Sequence, residues 1–375
     1  MFKILEKILS AGGQLYRVGG SVRDEIMGFE PHDFDYCVTG LSIEQFTELF
    51  PNAQVTGKDF PVFRINNEEY ALARTEKKQG TGYRGFEVFT SPNVTIEQDL
   101  ARRDLTINSI AINVATGKIV DPFGGIEDIN KGVIRATTPA FAEDPLRVYR
   151  AARFAAKFNF KVEPKTIKMM NSLKNELNTL SVERVFEEVR KALNTEKPSL
   201  FFSTLLTANV LDVHFKELLT RSKNYNLETA LKHIDKVSKL TTREEVKFAA
   251  LVQGLDSFFI QNLCYRLNLP KTWLKAGLEC SLEHSLIDEL LFFDKLSSFE
   301  KVNLLEKISK STLGFDGLSS LINKDISKIK SIADSMFKNV SGNALKEIIK
   351  KNKLNGAEIS RLIHNERVKF IEFIL

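Results

Sequence analysis

Two patterns of apolar and polar positions divide this chain. Before about residue 120, short runs with alternating character predict strands at 14–18, 34–38, 63–65, 69–73, 86–90 and 118–121. From Glu143 onward, apolar residues recur at helical spacing almost to the end. Breaks are expected near Lys197-Pro198, near Leu269-Pro270 and at 314–317, where Pro and Gly punctuate the pattern. The pattern predicts an α/β head, a mixed sheet with helices, followed by an all-α remainder. No internal repeat or low-complexity segment is evident.

At 375 residues with 43% hydrophobic content, two or more compact units with real cores are expected. Cys37, Cys264 and Cys280 are scattered and odd in number, which argues against a disulfide framework or a zinc ribbon. No apolar run approaches membrane-spanning length, and the amino terminus lacks a signal-peptide core. A soluble, cytoplasmic protein in a reducing compartment is expected. The net charge of +5 is unevenly placed: 14 Lys plus Arg face 8 Asp plus Glu from Lys301 on, leaving 39 against 40 before it. A basic tail on a neutral body points to contact with a phosphate backbone, although a solvated Lys-rich surface gives the same count.

The chemistry-bearing residues fall in four segments. In Gly19-Gly20-Ser21-Val22-Arg23-Asp24, followed by Asp33-Phe34-Asp35, the glycines let backbone N–H groups approach phosphate oxygens. Arg23 adds a permanent, forked charge. Asp33 and Asp35, two apart in an extended segment, share a face and would repel unless a cation sat between them; hard oxygen ligands suit Mg²⁺. The bland alternative is a turn before an acidic edge strand. In Arg102-Arg103-Asp104-Leu105-Thr106-Ile107-Asn108, Arg103 suits phosphate, while Asp104 and Asn108 suit ribose hydroxyls or brace the arginines. Asp121-Pro122-Phe123-Gly124-Gly125-Ile126-Glu127-Asp128 reads as a turn that Asp121 caps. In Glu143-Asp144-Pro145 and the residues after it, Asp144 is a good N-cap and Pro145 a good first helical residue. Arg147, Arg150 and Arg153 then recur every three residues on one stripe, either a solvated face or one that meets a nucleotide.

In this order, the four segments and Ser181-Val182-Glu183-Arg184-Val185-Phe186-Glu187-Glu188 resemble the five motifs of the class II tRNA nucleotidyltransferase and poly(A) polymerase family, most closely bacterial CCA-adding enzymes. The resemblance covers roughly residues 15 to 190. It implies a polymerase-β-like nucleotidyltransferase head at 1–138, a neck that selects the base at 139–200, a body at 201–300 and a tRNA-binding tail at 301–375. It implies template-independent addition of CCA to the tRNA 3′ end from CTP and ATP, with Mg²⁺ on the catalytic residues Asp33 and Asp35. Gly19, Gly20, Ser21 and Arg23 would hold the β and γ phosphates. Arg103, Asp104 and Asn108 would serve phosphate or ribose, and Asp144 and Arg147 would read the base, with Arg150 and Arg153 beside them. Serines, asparagines and glycines at 341–346 and 355–359 resemble capping turns of the tail. No protein partner and no membrane are implied.

Close alternatives share the fold: a poly(A) polymerase, an enzyme adding only CC or only A, or an inactive RNA-binding module. Residues 57–63 and a glycine- and charge-rich stretch at 71–86 resemble the CCA-adding pattern, the latter a flexible loop. Intact Asp33 and Asp35 argue against the inactive module. Relatives often carry a metal phosphohydrolase domain in the body. Here Gln253-Gly254 stand where its His-Asp pair would be, and among His32, His214, His233, His284 and His364 none forms a metal-ligand pair. A body without phosphohydrolase chemistry is expected.

Overall fold

The computed structural model describes residues 2–57, 61–78, 86–220, 224–283 and 285–375. It forms two compact units, one of Met1–Ala192 with Leu200–Val213, the other of Leu193–Ser199 with His214–Leu375. Parts of the expected CCA-like stretches, 58–60 and 79–85, lie outside the described residues, as does His284.

The first unit begins with α1 (Phe2–Ser10), β1 (Gln14–Val18), α2 (Gly20–Ile26), β2 (Asp35–Thr39) and α3 (Ile43–Leu49). There follow β3 (Gln54–Thr56), β4 (Val62–Ile65), β5 (Glu68–Leu72), the hairpin β6 (Arg74–Lys78) and β7 (Phe86–Thr90), and α4 (Ile96–Ala101). Then come β8 (Ala111–Asn113), β9 (Ile119–Val120), α5 (Gly125–Lys131), β10 (Val133–Ile134), α6 (Leu146–Phe158), β11 (Lys161–Val162), α7 (Pro164–Ser172), α8 (Val182–Leu193) and α9 (Ser199–Thr207). Seven strands make one mixed sheet in the order β3-β4-β5-β2-β1-β8-β9. Within it β2 and β5 run parallel, while β1 is antiparallel to both its neighbours.

Strand periodicity decides what each face does. Leu15, Tyr36, Val38, Phe63, Tyr70 and Leu72 point to one face and pack against Ile4, Ile8 and Phe46 from α1 and α3. Tyr16, Val18, Cys37 and Ala111 point to the other and meet Ile96 and Leu100 of α4. Asp35 shares the second face with Cys37, at the strand's open end. Helix α4 is fixed by a capping box between Thr95 and Gln98. Leu100 is fully buried, so its replacement by Ala would cost about 2–5 kcal/mol and loosen the site-bearing face first.

The strands at 54–56, 74–78, 111–113, 133–134 and 161–162 were not legible from alternation, because most are two or three residues long and shorter than the period needs. The expected break at 314–317 is shifted: the interruption lies between Lys310 and Gly314, and Gly317 sits inside a helix. Its lack of a side chain serves packing, since a Cβ there would stand 3.1 Å from Val246.

After α10 (Leu211–Phe215), the second unit is built of α11 (Leu227–Ser238), α12 (Glu244–Val252), α13 (Ser257–Arg266), α14 (Lys271–Leu278), α15 (Leu286–Leu291), α16 (Ser298–Lys310), α17 (Gly314–Ile322), α18 (Ser327–Asn339), α19 (Lys346–Lys351) and α20 (Gly356–Ile374). Helix α14 approaches α12 at Gly277, where a Cβ would lie 3.2 Å from Phe248; Phe248 stacks on Trp273 at 5.2 Å. The expected capping turns are present: Ser341 Oγ accepts from the Ala344 N–H, and Asn355 Oδ1 accepts from the Ala357 and Glu358 N–H groups. Arg367 ties α20 down, donating to Glu306 at 2.7 Å and to the Val340 carbonyl. Among the described residues no helix is long and apolar enough to cross a membrane.

Candidate active site

The turn from β1 into α2 builds one wall of a cavity of about 780 Å³. Gly19 has φ +76, a left-handed value that favours glycine, and a Cβ on it would stand 3.2 Å from Arg103 Nη1 and 3.8 Å from Asp35 Oδ2. The glycine therefore leaves open the space between an arginine and a carboxylate. Gly20, Arg23, Asp33 and Asp35 also line the cavity. Ser21 does not: it is buried, and its hydroxyl donates to the Val18 carbonyl at 3.4 Å. Its side chain is thus committed inward, and only its backbone remains for a phosphate.

Asp33 lies just ahead of β2 and Asp35 begins it. Burial raises the Asp35 pKa, the nearby Glu69 and Asp33 carboxylates add to that rise, and Arg103 opposes it. A carboxylate so placed gains from a cation, which is the test a metal site must pass. Among the described residues no three His, Cys, Asp or Glu side chains form a complete cage.

Glu69 went unnoticed in the sequence. The parallel pairing of β2 with β5 sets Asp35 opposite Glu69, a non-local register that alternation alone does not reveal.

The Arg102–Asn108 segment leaves α4, passes through an extended Leu105 and ends in one 3₁₀ turn, Thr106–Asn108. Asp104 and Asn108 do meet, through Asn108 Nδ2 donating to Asp104 Oδ1 at 3.1 Å. Asp104 also accepts from Arg150 Nε and Nη2 at 2.8 and 2.7 Å. Burial alone would raise its pKa; Arg150 and Asn108 overcome this and hold it below the usual range. Asp99, also missed, is almost fully buried and pairs with Arg102 and Arg103 at 2.8 and 3.1 Å. The signal was present as the i, i+3 and i, i+4 spacing on α4. Arg103 Nε is buried with no hydrogen-bond partner among the described residues. A buried, unmatched cationic donor costs free energy that an anion would recover.

Helix α6 supplies the opposite wall. It is assigned from Leu146, with Pro145 at the cap position, and Asp144 Oδ1 accepts from the Leu146 N–H at 3.0 Å. The capping expectation thus holds to within a residue. Asp144 Oδ2 lies 3.3 Å from Arg184 Nη2 of α8. The three arginines of the stripe turn three ways. Arg147 is buried and donates to the Ala140 and Arg102 carbonyls at 2.7 and 2.8 Å. Arg150 pairs with Asp104, and Arg153 with Glu188 of α8 at 2.5 Å. Phe154, Lys157, Arg184 and Lys191 also line the cavity. Arg23, deep in the wall with its pKa lowered chiefly by burial, pairs with Asp24 at 2.8 Å and donates to Asn108.

Asp121 closes the turn before α5, accepting from the Gly125 and Ile126 N–H groups at 2.7 and 2.9 Å. A Cβ on Gly125 would stand 2.3 Å from the Thr106 carbonyl, so this motif presses α5 against the Arg102–Asn108 segment.

Known proteins resemble this chain in sequence and in fold. Residues 15–135 match the model of the Poly A polymerase head domain, and residues 159–220 the model described as the "Probable RNA and SrmB- binding site of polymerase A". A Multifunctional CCA protein of Nitrosococcus oceani is 38% identical over 309 residues, covering 74% of this chain and 75% of its own. The protein of the same name from Nitrosospira multiformis is 41% identical over 302 residues, covering 72% of each chain. In fold, the chain is similar to the Thermotoga maritima CCA-adding enzyme complexed with tRNA_CCA, with a TM-score of 0.71 at 20% identity over 100% of this chain and 90% of that one. A CCA-adding enzyme in complex with CTP gives a TM-score of 0.72 at 20% identity over 98% and 90%. With its head sheet, its glycine turn and its ordered motifs, the chain belongs to the tRNA nucleotidyltransferase and poly(A) polymerase family, among the CCA-adding proteins.

Proposed function

We propose that this protein adds C, C and A to the 3′ end of tRNA, taking CTP and ATP and releasing pyrophosphate without a nucleic-acid template. One observation carries the reading: the acidic pair Asp33 and Asp35 lines the same cavity as Asp144, just ahead of α6, and as Arg147, Arg150 and Arg153 of α6, more than a hundred positions further along the chain. A site for transfer chemistry and a wall fit to read a base are thereby joined. Mg²⁺ bound by Asp33 and Asp35, with Glu69 alongside, would neutralise triphosphate charge and lower the pKa of the attacking hydroxyl. Gly19 and Gly20 open the space for phosphate, and Arg23 and Arg103 face it. Asp104 and Asn108 brace Arg150 and Arg23 rather than standing free for a ribose. The basic tail is suited to the tRNA backbone.

Base choice follows from hydrogen-bond sense. Asp144 accepts from the exocyclic amino group of cytosine or adenine, and Arg147 donates to the adjacent ring nitrogen. Uracil and guanine present a carbonyl and a ring N–H there, so both contacts become repulsive. Arg147 gives one N–H of each Nη to a carbonyl, which leaves its three other N–H donors for the base. Asp144→Ala should therefore raise the competitiveness of UTP and GTP by about one to two powers of ten while slowing correct incorporation. The same change removes a cap worth about 1 kcal/mol. Measuring kcat/KM for all four nucleotides beside Tm separates the roles. A lowered Tm with unchanged discrimination would leave Asp144 as a capping residue only.

The body should be free of phosphohydrolase chemistry. Gln253 follows α12, and Gly254, with φ +82, packs so tightly that a Cβ would be 2.4 Å from the Asn224 carbonyl. We expect no hydrolysis of 2′,3′-cyclic nucleotides with added Ni²⁺ or Mn²⁺. Robust metal-dependent hydrolysis that survives Asp33→Ala would reject this.

A further inference from the structure

The cations around the cavity are nearly all matched. Arg150 faces Asp104, Arg153 faces Glu188, Arg23 faces Asp24, Arg103 faces Asp99 and Arg184 faces Asp144. Lys157 and Lys191 are the exceptions: both line the same cavity, and among the described residues neither makes an ion pair or hydrogen bond, but Lys157 is the one that stands beside Arg23. What Lys157 meets is an aromatic platform. Phe154 and Phe158, one helical turn apart, stack at 5.9 Å with their planes 9° from parallel. Arg23 lies 5.2 and 4.9 Å from the two ring centres, Arg153 lies 4.1 Å from Phe154, and Lys157 lies 5.0 Å from Phe158. Aromatic faces hold cations in place without cancelling their charge.

Enclosure at the wall lowers the Lys157 pKa, Arg23 and Arg153 push it further down, and Asp24 partly offsets them. Three cations thus stand against two carboxylates, Asp24 and Glu188, at this end of the cavity. The imbalance favours an anion. Position says which one. Lys157 lies ten residues beyond Arg147 on α6, about 15 Å along the axis, so it stands far from the base-reading end and beside Arg23.

We propose that Lys157 Nζ binds the γ-phosphate of the incoming CTP or ATP and then the departing pyrophosphate, as a positioning residue for the leaving group. The inference rests on the nucleotide site proposed above. In the transfer, the tRNA 3′ oxygen bonds to the α-phosphorus and the bond to the α,β-bridging oxygen breaks. The electron pair leaves with pyrophosphate, and the hydroxyl proton passes to solvent. Lys157 exchanges no proton; its ammonium group donates hydrogen bonds to pyrophosphate oxygens.

The test compares CTP with CDP. Lys157→Ala should weaken CTP binding about tenfold while leaving CDP affinity unchanged, so the preference for the triphosphate shrinks by that factor. Inhibition by added pyrophosphate should weaken alike, and Lys157→Arg should restore most of both. Equal losses for CTP and CDP would overturn the assignment in favour of a merely structural role, and so would no loss at all. Arg103→Ala, measured in parallel, keeps the two proposals apart. If it weakens CTP binding while Lys157→Ala does not, the inference alone fails; if neither does, the nucleotide site is misplaced.

Discussion

Asp35→Ala should reduce incorporation of both CMP and AMP by at least about three powers of ten. Two features set the size. The charge stabilisation that a carboxylate-held metal gives a transferring phosphoryl group is worth several kcal/mol, and each 1.36 kcal/mol is tenfold in rate. Asp35 also stands at the open end of a strand, beside Asp33 and opposite Glu69, so its removal breaks the acidic pair. The fold should not suffer. The Asp35 pKa is raised by burial and by like charges, so its ionised form opposes folding as pH rises; removing it leaves Tm equal or slightly higher. Single-turnover incorporation, melting and tRNA binding on one preparation check this. Most of the activity surviving in Asp35→Ala would reject the assignment of the acidic pair.

Asp104→Ala should cause a large loss of stability. Asp104 is buried and receives hydrogen bonds from Arg150, Asn108 and the Leu105 N–H. Removing one partner of a buried ion pair leaves the other charge uncompensated, at about 3–5 kcal/mol. For a unit of this size each kcal/mol moves Tm by about 2–4 °C, so a fall near 10 °C is expected. The sign of the pH dependence follows from the pKa. It is lower in the folded state than the unfolded reference near 3.9, so the pair's contribution is complete above that reference and lost as pH falls through the folded value. The Tm difference between wild type and Asp104→Asn should therefore narrow below about pH 4. A difference that is flat with pH would show that Asp104 acts through packing rather than charge.

Much of the site was readable from residue order, because its parts are local. Gly19 takes the backbone conformation its motif implies, Asp121 caps its turn, and Asp144 bonds to the Leu146 N–H. What escaped is what depends on long-range register or burial. Glu69 reaches Asp35 only through a parallel strand pairing. Asp99 gave no signal of burial in the sequence; the fold sets α4 so that it is buried against Arg102 and Arg103. Helical spacing put Arg147, Arg150 and Arg153 on one stripe, but long side chains diverge, and each guanidinium finds a separate partner. Lys157, one turn beyond the stripe, carried no signal of its own: a lysine near a helix end is ordinary until its neighbours are known to be paired.

The most direct measurement offers a tRNA transcript lacking its last three nucleotides to the purified protein, with CTP alone, ATP alone, or both. The account predicts two additions with CTP alone, none with ATP alone, and three with both, after which extension stops. Long runs of A with ATP alone would make the protein a poly(A) polymerase, and a stop at two nucleotides with both present would make it a CC-adding enzyme; either result contradicts the account.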